Sequence, residues 1–305
     1  LDGQTMAAFL DSLEITSKRV RWWVEYACRD DFGCSLATTS AWAGIHYWAS
    51  REEDGPLLTW PEGNGRLVRA MMERIGPRVE TGRLAVRVVP EDRGVVIDLW
   101  NPRNDSVKRV KADHAVLAVP QFVAARIVEP WRKSAPEWLP SFTYAPWMVA
   151  NVHVDRLPAG QGFETAWDNV IYDSEGLGYV VATHQLHRSA PGPSVLTYYR
   201  PLVGADPAAE RTRMLSQRWE DWRDLVLADL STAHPAMEDI VTRIDVMLWG
   251  HGMVRPTPGF LWGGRRDVAS RPLGRVHFAH SDLSGIALFE EAQYWGVRAA
   301  DGILE

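Results

Sequence analysis

A helical spacing of apolar residues runs through the first part of the chain. Apolar side chains recur three and four positions apart, as at Phe9 and Leu13, which is the period of an α-helix. Residues 38–40 (Thr-Thr-Ser) precede the segment AWAGIHYWAS, and these residue types commonly cap helix N-termini. Residues 1–50 are therefore predicted to be helical.

A loop and an amphipathic helix come next, and the period then changes. The segment LLTWPEGNGRLVRAMMERIG places a Pro/Gly turn before a helix with Leu67, Met71 and Ile75 on one face. From Thr81, RLAVRVVPEDRGVVIDLW alternates with period two and predicts two strands around the turn PEDRG. The segment HAVLAVP predicts a short buried strand that ends at Pro120.

The remaining sequence predicts strands followed by helices. APWMVANVHVD, WDNVIYDSEGLGYVVATHQ and SVLTYYRPL are predicted as strands with Gly-rich turns, and no element is assigned to the Trp- and Pro-rich residues 122–140 before them. Residues 206–229 are predicted as one long helix, residues 235–239 as a short one and residues 247–249 as a strand. The tail GRVHFAHSDLSG predicts a strand and loop, and FEEAQYWGVRAADGILE predicts a terminal helix.

Composition excludes several classes of protein. The chain has 305 residues, 33 Lys and Arg against 39 Asp and Glu, and 46% hydrophobic residues, as in ordinary globular proteins of about two domains. A net charge of −6 without a basic cluster gives nucleic acid no electrostatic footprint. No apolar run approaches the length of about 18 residues that a membrane helix needs, so we expect neither a nucleic acid partner nor a membrane span.

Metal and nucleophile motifs are weak in this sequence. Cys28 and Cys34 are too few for a disulfide framework and lack a metal or redox spacing, so both are predicted to be buried thiols. The pairs His184/His187 and His277/His280 lack a convincing third ligand. No G-x-S-x-G elbow supports Ser-His-Asp catalysis. No metal site is predicted.

The tail carries the most chemical information. A short strand ends in a polar loop that contains Asp282, and a helix follows. In α/β sheets, ligands bind at the carboxyl ends of strands and at helix N-termini. Ala292, Gly296 and Ala300 recur every four residues and allow a sheet or a flat ring to approach the helix closely. An ordinary packed helix with Asp282 as a turn residue is the alternative interpretation.

Three segments together resemble a known family. FAHSDLSGIALFEEAQYWGVRAADGIL is similar to the C-terminal flavin-binding segment of the flavin-containing, monoamine oxidase-like amine oxidases. ADHAVLAVP resembles the strand of that family that leads to a proline at the flavin edge, and TWPEGNGRLVRAM resembles its Gly-rich loop and helix. Their order and spacing agree with the family over almost the whole chain.

The resemblance implies an α/β fold: a partial FAD/NAD(P)-binding (Rossmann-like) domain and a discontinuous substrate domain with a mixed sheet, of α+β type. Residues 54–124 and 251–305 would belong to the FAD-binding domain. Residues 1–53, which are helical, and residues 125–250, with a sheet and helices, would form the substrate domain. The implied reaction is hydride transfer from the carbon of an amine-like small-molecule substrate to the N5 atom of non-covalently bound FAD.

The resemblance also implies site residues. In the cofactor site, Asp282 would meet the ribityl or pyrophosphate region, and the helix start would face the flavin pyrimidine, where backbone N–H groups stabilise negative charge. The cofactor-binding residues implied are Gly63, Gly65, Arg66, Ala85, Val86, Val119, Pro120, Ser281, Asp282, Phe289, Glu290, Glu291 and Ala292. Asn151, Trp249 and His251 would line the substrate cavity, and His251 has a side chain suited to acid-base work near neutral pH.

The sequence departs from the family pattern at four places. The G-x-G-x-x-G segment that holds the ADP half of FAD is absent from the 305 residues. Asn151 stands where the family has an active-site lysine. The substrate-side aromatic pair falls near Gly252 or Met253 and on Leu288. No cysteine lies within residues 250–256, so covalent flavin attachment is not expected.

These departures leave alternatives open. The chain is expected to be the C-terminal portion of a longer flavoprotein, to work beside a separate FAD-binding polypeptide, or to have lost the cofactor. A non-catalytic binding or assembly subunit and a flavin desaturase or isomerase are the alternative functions. A cytoplasmic location is expected, or a periplasmic one if an export signal precedes Leu1.

Overall fold

The computed structural model of the protein describes residues 1–51, 60–159, 163–186 and 192–305. The chain divides into two compact units. Unit 1 comprises Leu1, Thr5–Val68 and Tyr144–Met253, and unit 2 comprises Asp2–Gln4, Arg69–Thr143 and Val254–Glu305. The domain boundary expected at 53/54 and the metal candidate His187 lie outside the described residues. The assignment of FAD and substrate roles to the units stays a prediction.

Three helices open unit 1, as the apolar spacing predicted. They are α1 (Met6–Ser12), α2 (Lys18–Phe32) and α3 (Ala41–Ala49). The Thr5 hydroxyl caps α1 by accepting a hydrogen bond from the Ala8 N–H. Gly33 ends α2 in the left-handed conformation that glycine adopts without strain. Cys28 and Cys34 form no disulfide and are buried, which confirms the prediction for both thiols.

A five-stranded sheet forms the other half of unit 1. Its strands are β5 (Tyr144–Val154), β6 (Asp168–Asn169), β7 (Tyr179–Val181), β8 (Ser194–Pro201) and β9 (Val241–Val254), in the order β6-β7-β8-β5-β9. Strand β5 pairs antiparallel with β8, with Asn151 opposite Thr197. Strand β9 is much longer than the predicted residues 247–249. The prediction was too short because apolar and polar residues alternate too irregularly in the amino-terminal half of β9 to indicate a strand.

Helices cover the core of this sheet. They are α7 (Pro207–Ser216), α8 (Trp219–Ala233) and α9 (Met237–Ile240). Buried Met148 and Leu196 of the sheet pack in one cluster with Trp222 and Val226 of α8. The prediction of one helix over residues 206–229 is wrong, because the helical structure is interrupted between Ser216 and Trp219. Helix α8 begins anew after Arg218, whose N–H donates to the Asp221 carboxylate at 2.8 Å.

Helix α4 (Gly65–Ile75) spans the point where the two units are divided. It follows the Pro/Gly turn, as predicted. None of its residues is buried, although its sequence is strongly amphipathic. Met71 and Ile75, from the predicted apolar face, are more than a third exposed.

An antiparallel three-stranded sheet follows in unit 2. Its strands are β1 (Leu84–Glu91), β2 (Gly94–Asn101) and β3 (Ser106–Ala112), in that order. The turn between β1 and β2 falls within the predicted segment PEDRG but is only two residues long, Asp92 and Arg93. Strand β3 was not predicted, because its sequence SVKRVKA is largely polar and its residues are largely exposed.

A parallel pair of strands, β4 (Ala115–Leu117) and β10 (Val276–Phe278), lies in unit 2 and confirms both predicted short strands. Four helices accompany it: α5 (Gln121–Ile127), α6 (Glu129–Lys133), α10 (Arg265–Ala269) and α11 (Phe289–Leu304). Helices α5 and α6 occupy the region where no regular element was predicted. Parallel pairing with helical connections confirms the α/β class. No helix in the described ranges is long and apolar enough to cross a membrane.

Candidate functional site

The two loops that follow the parallel strands of unit 2 are joined by a buried hydrogen bond. Strand β4 leads into Pro120, the N-cap of α5, and strand β10 leads into a single 3₁₀ turn, Ser281–Leu283. The Gln121 N–H donates to Asp282 Oδ2 at 3.0 Å. Carboxyl ends of parallel strands are where α/β sheets bind ligands, so this point is the centre of the candidate site.

The Asp282 carboxylate is anchored by the Gln121 N–H, which donates to Oδ2. Asp282 is 3% exposed, and His280 Nδ1 lies 3.1 Å from its Oδ1 atom. Because His280 Nδ1 accepts a hydrogen bond from the Asp282 N–H at 3.1 Å, it carries no proton that it could donate to Oδ1. The carboxylate therefore fixes the relative position of the Pro120 and Ser281 loops.

Gln121 is the residue that sequence reasoning missed. Its side chain is fully buried, yet neither Oε1 nor Nε2 has a hydrogen-bond partner within the described ranges. A buried amide without partners is costly, so such a group calls for an explanation. The sequence feature that could have identified Gln121 is its position as a polar residue directly after the apolar segment HAVLAVP.

Helix α11 begins without a side-chain cap. Leu288 is its N-cap residue and makes no side-chain hydrogen bond to the first turn, so the first N–H groups remain available to an acceptor. The Ser284 hydroxyl donates to Glu291 Oε2 and accepts from the Trp295 indole N–H at 2.7 Å. Phe289 is half-buried, whereas Glu290 and Ala292 are exposed.

The remaining predicted cofactor residues are exposed or half-buried. A side-chain carbon placed at Gly63, with φ +55°, or at Gly65 would meet no atom within 4 Å, and Arg66 is exposed. Ala85 and Val86 are exposed on β1. Val119 and Pro120 are half-buried beside Gln121. The roles of all these residues stay predictions.

A chain of hydrogen bonds joins the two parallel strands away from their carboxyl ends. Arg275 Nη1 lies 2.8 Å from His114 Nε2, and His114 Nδ1 lies 3.0 Å from His277 Nε2. An arginine only donates, so His114 Nε2 must accept and His114 Nδ1 must carry the proton. His277 Nε2 then accepts, which leaves the proton of neutral His277 on Nδ1. Burial, and then the electrostatic interaction with His114, lowers the pKa of His277.

In unit 1, Asn151 is held by the sheet. Its Oδ1 atom accepts a hydrogen bond from the Thr197 hydroxyl at 3.0 Å. A neutral amide replaces the lysine that the family resemblance led us to consider, so this position supplies no cation.

Trp249 and His251 both lie on β9. Trp249 is 56% exposed, whereas the His251 ring meets the Tyr144 ring edge to face, with centroids 5.7 Å apart. A side chain at neighbouring Gly252 would come within 2.5 Å of Trp147 Cδ1. The indole of Trp147 thus fills the space beside the position where the family resemblance placed an aromatic residue.

Carboxylates and phenols cluster elsewhere in unit 1. The Tyr47 hydroxyl lies 3.5 Å from Asp30 Oδ2, and the Tyr199 hydroxyl lies 3.3 Å from Asp168 Oδ1. Burial raises the pKa of Asp30 to about 6, and the negative charges of Asp31 and Asp168 add to this effect. Sequence periodicity contained no signal for this cluster, because its members come from α2, α3, β6 and β8.

No group of three or more His, Cys, Asp or Glu is arranged for a metal ion among the residues that the structure describes. His280, a candidate from the sequence, is instead associated with Asp282. His277, its partner in that pair, faces His114.

Solved structures with a similar fold include amine oxidases. Cyclohexylamine oxidase from Brevibacterium oxydans IH-35A is 18% identical, with a TM-score of 0.68 over 99% of this chain and 68% of its own. Wild-type putrescine oxidase bound to putrescine is 16% identical, with a TM-score of 0.75 over 100% of this chain and 69% of its own. At these identities the likeness establishes the fold. A comparison with curated proteins found no match.

Family membership rests on the sequence itself. The model of the family described as flavin containing amine oxidoreductase matches residues 23–304, which is nearly the whole chain. The match includes β4, β10 and α11, the elements that build the candidate site. The chain therefore belongs to the flavin-containing amine oxidoreductase family.

Proposed function

We propose that this chain supplies the flavin-facing and substrate-facing parts of an FAD-dependent amine oxidase. The observation that carries the proposal is the buried bond between the Gln121 N–H and Asp282 Oδ2, beside the uncapped start of α11. It supports a ligand at the carboxyl ends of the two parallel strands. FAD, bound without a covalent link, would accept a hydride from the amine carbon.

The donor groups of unit 2 fit a flavin. Free N–H groups at the start of α11 suit the electron-rich edge of the ring, because the helix dipole favours negative charge there. Gln121 offers an amide that lacks a partner within the described residues. Asp282 would hold the two loops in place, and Pro120 would border the ring.

On the substrate side, we assign positioning to Asn151 and a proton-transfer role to His251. Asn151 Oδ1 already accepts from Thr197, so its amide NH₂ remains as the donor to substrate. His251 has a side chain whose ordinary pKa allows it to take a proton from a protonated amine near neutral pH. His251→Ala is expected to reduce the rate of flavin reduction by about 100-fold, a common size for acid-base catalysis.

A further polypeptide segment is part of the proposal. The Ala292, Gly296 and Ala300 stripe of α11 is exposed, and Val297 beside it is 53% exposed. No G-x-G-x-x-G segment occurs in the sequence, and the similar solved structures extend beyond their matched part. We infer that a glycine-rich βαβ segment, from the same polypeptide or a separate one, binds this face and holds the ADP half of FAD.

Absorption spectroscopy tests the function directly. Purified protein is mixed with FAD, with and without a glycine-rich βαβ segment from a related flavoprotein, and dialysed. Retention of a band near about 450 nm, typical of oxidised flavin, is expected, and anaerobic addition of putrescine or cyclohexylamine is expected to bleach it. A colourless protein in both mixtures would instead support the non-catalytic subunit, whereas a flavin that amines do not bleach would support a desaturase or isomerase.

A further inference from the structure

A second cavity in unit 2 has an unusual charge distribution. It measures about 220 Å³ and lies between α11, His277 and Phe278 of β10, and the loop at residues 270–272. Its basic lining residues are Arg271, Arg298 and His277, and no Asp or Glu of the described residues lines it. In a protein with net charge −6, a cavity in which basic side chains are the only ionisable groups of the described lining indicates an anionic ligand.

Both guanidinium groups are available to a ligand. Neither Arg271 nor Arg298 forms an ion pair in the part of the chain that the structure describes, and both residues are exposed at the cavity. Arg298 Nη1 donates to the Tyr294 hydroxyl at 3.1 Å, and its guanidinium lies 5.2 Å from the centre of the Trp295 ring. The tyrosine contact orients Arg298 but leaves its charge uncompensated.

His277 supplies a third donor. Its side chain is 7% exposed and lines the cavity. The hydrogen bonds from Arg275 to His114 and from His114 to His277 Nε2 place the proton of neutral His277 on Nδ1. None of the described residues accepts a hydrogen bond from that N–H, so it remains available to a ligand.

The walls of the cavity determine what else the ligand must be. Trp295, Pro272 and Phe278 contribute to a lining that is mostly apolar. A volume of 220 Å³ is below the range of about 300–1,000 Å³ that is usual for drug-sized ligands. A small anion with a flat apolar body therefore fits better than an inorganic ion.

We propose that this cavity binds an aryl carboxylate, with its carboxylate between Arg271 and Arg298 and its ring against Trp295. Arginine binds carboxylates through paired N–H groups, and indole and guanidinium faces both stack on aromatic rings. This site is separate from the residues assigned to flavin and amine above, so it is a second ligand site of the chain.

Calorimetric titration with sodium benzoate tests the proposal without any measurement of flavin or turnover. Saturable one-to-one binding is expected, and benzamide, the neutral isostere, is expected to bind at least about tenfold more weakly because it lacks the charge. Arg271→Gln and Arg298→Gln are each expected to weaken benzoate binding at least about tenfold. Trp295→Phe should abolish most of the benzoate-induced change in tryptophan fluorescence.

Arg103→Gln is the matched control, since Arg103 is exposed on the turn between β2 and β3 and should leave benzoate binding unchanged. Circular dichroism establishes that each variant is folded. Absence of benzoate binding, or binding that survives both arginine substitutions, would overturn the proposal. Inorganic phosphate that binds as tightly as benzoate would overturn the requirement for an apolar body.

Discussion

The Gln121 N–H donates to Asp282 Oδ2 at 3.0 Å, and this bond joins two loops that lie far apart in the sequence. Both groups are buried, where a charge-assisted hydrogen bond is stronger than at the surface. The loops follow β4 and β10, the two strands of the parallel pair. The bond therefore fixes the carboxyl end of that pair, the place where the family membership leads us to propose the flavin.

Removal of the carboxylate should destabilise unit 2. Asp282→Ala leaves the Gln121 N–H without its acceptor and is expected to lower the free energy of unfolding by about 2 kcal/mol. Asp282→Asn retains an oxygen and should cost less. Urea denaturation measures both effects, with Asp92→Asn, in the exposed turn between β1 and β2, as the control. Equal stabilities for Asp282→Ala and Asp92→Asn would show that the bond contributes nothing.

Glycine substitutions at two positions should have opposite effects. A side chain at Gly252 would approach Trp147 Cδ1 to 2.5 Å, whereas one at Gly296 would meet no atom within 4 Å. Gly252→Ala is expected to cost about 1–3 kcal/mol through overpacking. Gly296→Ala, inside α11, is expected to add about 0.5–1 kcal/mol. Thermal melts of the two variants provide the measurement, and a stabilised Gly252→Ala would contradict the packing around Trp147.

Asp30 should make the protein less stable as the pH rises. Its pKa is raised from 3.8 to about 6 by burial and by Asp31 and Asp168, so the folded protein holds this proton more tightly than the unfolded chain does. The free energy of unfolding should therefore fall between pH 3.8 and about 6. Asp30→Asn should remove that fall and raise stability at pH 7 by about 1 kcal/mol.

Urea unfolding from pH 4 to 7 measures the Asp30 effect. Asp267→Asn serves as the control, because Asp267 is an exposed residue of α10. A parallel pH profile for Asp30→Asn and the unsubstituted protein would rule out the raised pKa.

His277 should act in the opposite direction. Burial, and then the electrostatic interaction with His114, lowers its pKa below the ordinary 6.5, so the unfolded chain takes up the proton first as the pH falls. The stability associated with neutral His277 is present above pH 6.5 and is lost below it. NMR titration of the imidazole should show a midpoint below 6.5, and His114→Asn should raise that midpoint only in part, because burial is the larger cause. A midpoint at or above that ordinary value would refute this.

Much of the fold could be predicted because its elements are periodic. The spacing of apolar residues identified α1, α2, α3 and α11, and alternation identified β5. Strand β3 escaped prediction because it is exposed on most of its length and has no apolar alternation. The break between α7 and α8 depends on a side-chain cap from Asp221, which apolar spacing does not reveal.

The candidate site was only partly predictable, because it depends on contacts between distant residues. Asp282 could be predicted because it lies in the loop after a predicted strand, and Pro120 could be predicted from the resemblance to a family. The partner of Asp282 was not predictable, since Gln121 lies 161 residues away and its backbone makes the bond. The hydrogen bond between His114 and His277 was not predictable for the same reason, because parallel strands bring together residues that are far apart in the sequence.

Hydrogen–deuterium exchange with and without FAD is the most direct test of the central claim, that the ends of β4 and β10 and the start of α11 hold a flavin. The measurement uses the protein together with the glycine-rich segment if FAD does not bind to the chain alone. Peptides that cover residues 119–122 and 281–292 are expected to exchange more slowly when FAD is bound, because their amides become hydrogen-bonded or covered. Bound FAD that leaves both regions unprotected and protects other segments would contradict the claim.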